Sequence, residues 1–134
     1  MAYARPLLEA YPRELSVDVD VLSRCIEACY ECSQACTACA DADLGEEQVA
    51  ELIRCIRLCE DCADVCVVAG RVASRQTERD ANATRTVMQA CVDTCRACGD
   101  ECERHAPHHV HCRICAEACR RCEAACQELV RAIA

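Results

Sequence analysis

The sequence predicts an all-α fold, an antiparallel four-helix bundle with a cysteine-lined core and a short extra segment at the N-terminus. Three observations lead to this prediction. The chain of 134 residues contains 18 cysteines in four groups, every gap inside a group is three or four residues, and helix-breaking residues fall between the groups. Alternating gaps of three and four place each group on one face of a helix, whereas a strand would need even gaps. Because the length is enough for one domain, residues 1–134 are predicted to form a single domain.

The individual elements follow from the prolines and the candidate capping residues. Pro6 and Pro12 bracket a short N-terminal segment, for which we expect one or two helical turns. Between the cysteine groups, Thr77 and Asp80 are candidate helix caps, and Pro107 suits a first helical position. The residues between the cysteines mostly favour helix. Helices are therefore predicted near residues 16–41, 46–73, 78–104 and 107–132.

Each cysteine group contains the pattern C-x3-C-x2-C-x3-C, as in CIEACYECSQAC at 25–36 and CAEACRRCEAAC at 115–126. Four helices with short connections and one inward stripe each are typical of an antiparallel bundle. Leu or Ile usually fills such a seam, but a buried free cysteine can also act as a small hydrophobe. The four stripes comprise Cys25, Cys29, Cys32, Cys36 and Cys39, then Cys55, Cys59, Cys62 and Cys66, then Cys91, Cys95, Cys98 and Cys102, then Cys112, Cys115, Cys119, Cys122 and Cys126.

The same spacing rule, extended beyond the cysteines, gives the two ends of the bundle different characters. At the end that holds the termini, the extended seam contains Leu22, Ala69, Ala73, Met88, Leu129 and Ile133. At the other end it contains Asp43, Gln48, Leu52, His105, His108 and His109, with His111 close by. We therefore expect an apolar plug at one end and a polar mouth at the other.

All four histidines of the chain lie within residues 105–111, in the segment HAPHHVH. A solvated loop with chance histidines would explain this segment without any function. Its predicted position beside a stripe of thiols favours a metal-related role, because imidazole is a common metal ligand. His105, His108, His109, His111 and Asp43 are therefore candidate metal or entrance residues.

Charge and composition exclude several classes of function. The formal net charge is −8, which argues against binding to nucleic acid or to an anionic membrane surface. The N-terminal sequence MAYARPLLEAYPREL shows no export signal, so a cytoplasmic location with reduced thiols is expected. Acidic residues between the cysteines, Glu101 among them, are expected on the solvated face. No arrangement of nucleophile, base and orienting residue is evident, and the protein is not expected to be an enzyme.

The thiol stripes point to a soft metal ion. Residues four apart on a helix have Cβ atoms about 5–6 Å apart, so one ion could bridge both sulfurs of a C-x3-C pair. Thiolates select Cu(I), Zn(II) or iron–sulfur clusters, and a continuous column of thiols suits Cu(I), which accepts two or three sulfurs. Exchange of one proton for one Cu(I) also leaves the charge of the core unchanged. A zinc-binding buffer and a disulfide-stapled or redox helical scaffold remain alternatives.

The four repeats, which also include CIRLCEDCADVC at 55–66 and CVDTCRACGDEC at 91–102, resemble the bacterial copper storage proteins, specifically their cytosolic branch. The resemblance covers about residues 16–132. It implies a four-helix bundle whose interior cysteines store many Cu(I) ions, protecting against copper toxicity and buffering supply. It also implies a homotetramer, a histidine-bearing mouth, and donor and acceptor proteins for copper as possible partners.

Overall fold

The computed structural model describes residues 2–133 and confirms the all-α prediction. The helices are α1 (Ala4–Glu9), α2 (Val19–Leu44), a single 3₁₀ turn (Val49–Leu52), α3 (Ile53–Ser74), α4 (Ala81–His105) and α5 (Val110–Ala132). Within the described part of the chain there is no β-strand.

The four long helices form a four-sided bundle. Helix α2 packs against α3 and α5, and α4 packs against the same two helices. Because each connection is short, sequential helices run antiparallel. The turn after α2 and the turn after α4 therefore lie at one end of the bundle, and the turn after α3 lies at the other. Helix α1 packs against the outside of α2.

The core of the bundle is built from sulfur. Every one of the 18 cysteines is buried. Sulfur atoms also meet across the diagonals of the bundle, where Cys36 lies 3.9 Å from Cys98 and Cys59 lies 3.9 Å from Cys115. Cysteine is small enough to let side chains of diagonally opposite helices meet. Between the two ends of the bundle, its axis is therefore filled by thiols.

The apolar plug predicted at the end with the termini is confirmed. Leu22, Met88 and Leu129 are fully buried there and close the column of cysteines. The other predicted members are also buried, namely Ala69, Ala73 and Ile133. These side chains therefore fill the bundle beyond the last thiols at this end, and Leu52 is buried at the opposite end.

The first two long helices are displaced from their predicted limits. Helix α2 begins at Val19 rather than residue 16, because the Asp18 carboxylate caps it by accepting from the backbone N–H groups of Asp20 and Val21. It then continues to Leu44, so the predicted end at residue 41 is wrong. The helix predicted from residue 46 begins instead with the 3₁₀ turn, which leaves Gln48 exposed and outside the seam.

The caps of the last two helices were predicted with mixed success. Asp80 caps α4 by accepting from the backbone N–H of Ala83, as expected, whereas the Thr77 hydroxyl pairs with Tyr11 across the turn. Pro107 does not open α5, because the chain turns tightly after His105 and the helix starts only at Val110. No helix in residues 2–133 has the length and apolar character needed to cross a membrane.

The plug should carry much of the stability of the apoprotein. We expect Leu129→Ala to lower the free energy of unfolding of the reduced, metal-free protein by about 2–5 kcal/mol, because it leaves a cavity in a fully buried position. Leu44→Ala is the matched control, since Leu44 is 57% exposed and its truncation should cost less than about 0.5 kcal/mol. Urea unfolding monitored by circular dichroism measures both. Equal effects would show that the plug does not hold the bundle together.

Candidate metal centre

The 18 cysteines form one continuous network of sulfur contacts, here called the thiol column. At the closed end the Cys126 Sγ lies 3.6 Å from the Sγ atoms of both Cys25 and Cys29. Near the middle the Cys36 and Cys115 sulfurs are 3.6 Å apart, and at the mouth those of Cys39 and Cys112 are 3.9 Å apart. The column therefore reaches from the apolar plug to the turn that carries the histidines.

Most of the short sulfur separations join different helices. Within one helix, Cys32 and Cys36 are 3.8 Å apart, as the C-x3-C spacing predicted. Between helices, Cys66 lies 3.7 Å from both Cys91 and Cys95. Sets of four sulfurs within 4.8 Å of one another draw on three or four helices, for example Cys32, Cys66, Cys95 and Cys122. The C-x3-C pairs within single helices therefore account for only part of the sulfur contacts.

Hydrogen bonds between neighbouring thiols raise the pKa of some cysteines in the interior of the column and lower that of others. The pKa of Cys32 is lowered, first of all by the hydrogen bond from Cys119. The pKa of Cys36 is raised above its ordinary value by hydrogen bonds with neighbouring thiols, first of all that of Cys115, and by burial. The pKa of Cys95 is raised in the same way, with Cys122 as the main partner. A neutral thiol is the favoured state because the interior offers a thiolate no water. Cys36 and Cys95 are therefore neutral, packed thiols in the metal-free column.

At the mouth the thiol column ends in oxygen and nitrogen donors. The Asp43 Oδ1 accepts from the Cys112 thiol at 3.6 Å, and Asp43 is fully buried. The His111 Nδ1 lies 3.4 Å from the Cys39 sulfur and 3.7 Å from the Cys112 sulfur. Burial, followed by the neighbouring Cys55 thiol, raises the pKa of Asp43 to about 7. Of the predicted mouth residues, Asp43 and His111 are thus the two that contact thiols directly.

Glu46 orders the imidazoles at the mouth, and the sequence analysis missed it. Its Oε2 lies 2.6 Å from the Nδ1 of His109 and 3.0 Å from the Nε2 of His111. The two rings stack with their centroids 5.4 Å apart. The hydrogen bond from His111 lowers the pKa of Glu46, which keeps this carboxylate ionised. Its position directly after Gly45, in the turn that faces the histidine segment, was the available signal.

The other two histidines lie away from the thiols. The His105 Nε2 is 2.8 Å from Glu101, which also pairs with Arg104. The expectation that Glu101 is solvated is wrong, because it is only 5% exposed, and the i,i+4 spacing of Glu101 and His105 on one helix was the missed signal. His108 does not start the last helix as predicted. It is exposed in the turn before α5.

A four-helix bundle with a column of free thiols, ending in imidazole and carboxylate groups, defines a cysteine-rich metal-binding protein. The family described as copper storage protein matches residues 18–131 of the chain. The chain therefore belongs to the copper storage protein family.

Solved structures of relatives agree with this assignment. The copper storage protein Ccsp of Streptomyces lividans, loaded with 10 copper equivalents, is 59% identical with a TM-score of 0.94, over 96% of this chain and 98% of that one. A cytosolic copper storage protein of Streptomyces lividans with five coppers is 62% identical with a TM-score of 0.82, over 84% and 93%. The Cu(I)-bound copper storage protein BsCsp3 of Bacillus subtilis is 39% identical with a TM-score of 0.68, over 77% and 92%.

The buried Asp43 should make the metal-free protein sensitive to pH. Its folded-state pKa of about 7 lies above the ordinary value of 3.8, so its contribution to stability is full below about pH 4 and is lost as the pH rises through 7. In Asp43→Asn this loss is absent. We expect the stability of the variant relative to wild type to rise by roughly 2–4 kcal/mol between pH 4 and pH 8. Urea unfolding across this range measures the difference.

Asp41→Asn is the matched control, because Asp41 lies on the same helix and is exposed. Its stability should follow the wild-type pH profile. A profile for Asp43→Asn that runs parallel to wild type would show that Asp43 is ionised at no cost in the folded protein.

Proposed function

We propose that this protein stores Cu(I) in the cytoplasm, holding many ions on the thiolates of all 18 cysteines, and thereby limits copper toxicity and buffers copper supply. The observation that carries the proposal is the thiol column itself, in which buried free cysteines from four helices touch without interruption. Membership of the copper storage protein family and the copper-loaded relatives support it. We infer that residues 1–134 act as one copper-binding domain.

The sulfur separations suit Cu(I) with little movement of the helices. An ion bound to three sulfurs at about 2.3 Å places those sulfurs about 4.0 Å apart. The contacts across the column already have this spacing, as between Cys62 and Cys95 at 3.7 Å and between Cys55 and Cys102 at 3.9 Å. Thiolates that bridge neighbouring ions would extend the same geometry along the whole column.

The protonation of the column suits a monovalent ion. Each Cu(I) that binds a thiolate releases one proton, so the charge of the core stays unchanged as the column fills. One divalent ion for each thiol would instead bury many uncompensated charges. Storage of this kind requires no acid–base or nucleophilic chemistry, and we propose that the protein is not an enzyme.

The proposed function includes a route for copper into the thiol column and an oligomeric state. The mouth is the end of the column with polar residues, and we propose that copper passes there, beside Asp43, His109 and His111. We leave the predicted entrance residues His105 and His108 out of this route, because His105 pairs with Glu101 and His108 is exposed in the turn before α5. A homotetramer, and exchange with copper donor and acceptor proteins, are proposed from the resemblance to the family.

An anaerobic titration with Cu(I) against a chromophoric competitor tests the storage function. We expect the reduced protein to bind on the order of one Cu(I) per cysteine before the competitor retains the metal. Saturation at only a few ions per chain would end the proposal. A parallel Zn(II) titration separates storage from zinc buffering, and a thiol count on freshly isolated protein, expected near 18, separates it from a disulfide scaffold.

The mouth should govern the rate of copper uptake more than the capacity. In the double variant His109→Ala/His111→Ala, we expect slower Cu(I) loading with an almost unchanged final stoichiometry, because no cysteine is removed. His108→Ala is the control, since this side chain is exposed in the turn and contacts no thiol. Stopped-flow mixing with a Cu(I) donor complex measures the rates. Identical rates for the two variants and wild type would rule out an access role for these imidazoles.

A further inference from the structure

Asp43 has an oxygen atom without a partner in the interior of the protein. Its Oδ1 accepts from the Cys112 thiol, whereas its Oδ2 is buried and makes no hydrogen bond. Buried carboxylate oxygens are normally satisfied, because an unpaired one carries the full cost of its lost hydration. The storage of Cu(I) on thiolates does not explain a buried carboxylate at this position, since Cu(I) prefers sulfur.

Donors of three kinds lie around this carboxylate, and the Cys55 thiol is a further neighbour of it. The His111 Nδ1 lies 3.6 Å from the Asp43 Oδ1, 3.4 Å from the Cys39 sulfur and 3.7 Å from the Cys112 sulfur. The Cys112 sulfur lies 3.6 Å from the Asp43 Oδ1 and 3.9 Å from the Cys39 sulfur. Each of these five separations is one edge of a polyhedron with a carboxylate oxygen, an imidazole nitrogen and two sulfurs at its corners.

We propose that Asp43, His111, Cys39 and Cys112 form a separate site for one divalent ion of the Zn(II) class at the mouth of the thiol column. A tetrahedral zinc ion has bonds of about 2.3 Å to sulfur and about 2.0–2.1 Å to nitrogen and oxygen, which gives edges of about 3.3–3.8 Å. The five observed edges, 3.4–3.9 Å, match this tetrahedron. Five of the six edges of the tetrahedron therefore have lengths close to those of a zinc site before any ion binds.

The orientation of His111 fits the role of a ligand. Its Nε2 faces the Glu46 carboxylate at 3.0 Å, and an ionised carboxylate can only accept, so Nε2 carries the proton. When the ring is neutral, its Nδ1 lone pair points toward Cys39 and Cys112. A carboxylate that fixes the far nitrogen of a ligating histidine is a recurrent feature of zinc sites.

Charge favours this site over the all-cysteine clusters deeper in the column. Zinc bound by two thiolates, one carboxylate and one neutral imidazole carries a net charge of −1, which is also the charge of the metal-free set with both thiols protonated. Binding therefore exchanges Zn²⁺ for two protons. Four thiols that bind one zinc ion lose four protons and leave −2 in a dry core. The zinc site rests on the proposed copper storage function only in one respect: Cys39 and Cys112 belong to both the site and the thiol column.

The test uses the full-length, reduced, metal-free protein under anaerobic conditions at pH 8. Zn(II) is titrated against a chromophoric chelator, and the protons released are measured in weakly buffered solution. Co(II), which reports tetrahedral geometry and thiolate ligation by its absorption, replaces Zn(II) in a second titration. The variants are Asp43→Asn and His111→Ala, with His108→Ala as the control. Far-UV circular dichroism of every protein shows that the bundle is intact, and a Cu(I) titration of wild type measures its storage capacity.

For wild type and His108→Ala we expect one tight Zn(II) per chain, two protons released for it, and a tetrahedral Co(II) spectrum with two thiolates. Asp43→Asn and His111→Ala should bind this first ion at least about 100-fold more weakly. Equal zinc affinity in all four proteins, or release of four protons for the first ion, overturns the site and leaves the storage function untouched. A low Cu(I) capacity in wild type would overturn the storage function independently.

Discussion

The structure depends on close contact between cysteine side chains across the axis of a four-helix bundle. Cysteine is one of the few residues that are apolar when protonated, small enough to let diagonal helices approach, and able to bind metal when deprotonated. In this chain the Cys36 and Cys98 sulfurs, on diagonally opposite helices, are 3.9 Å apart. A seam of leucines would hold the helices further apart and would leave no ligands. The same contacts that pack the metal-free core are therefore the contacts that an ion can bridge.

This constraint explains the difference between the two ends of the bundle. Thiols alone provide little apolar volume, so Leu22, Met88 and Leu129 add it beyond the last sulfurs at one end. At the other end Leu52 is also buried, but the column meets Asp43 and the imidazoles that Glu46 orders. The closed end contributes stability, whereas the polar end offers a route for ions and protons between the column and solvent.

The donors at the mouth also differ in chemical softness from those of the column. Eighteen sulfurs favour Cu(I), with one proton released for each thiolate that forms. The buried Asp43 and the oriented His111 add oxygen and nitrogen, which Cu(I) does not require and zinc accepts. A single mixed site at the end of a uniform thiol column would let the protein respond to two metals with one set of helices. The cost is a buried carboxylate whose pKa is raised to about 7.

Residue spacing along the chain was enough to predict the number of long helices, their inward faces and the plug. Gaps of three and four residues place the cysteines on one face, and the same rule correctly extended the seam to Leu22 and Met88. Only the tertiary structure decided which sulfurs meet, since most short contacts join different helices. It also placed His111 beside Cys39 and left His108 exposed, because the turn after His105 delays the start of α5 to Val110. The role of Glu46 likewise depends on two turns, distant in sequence, that meet only when the helices pack.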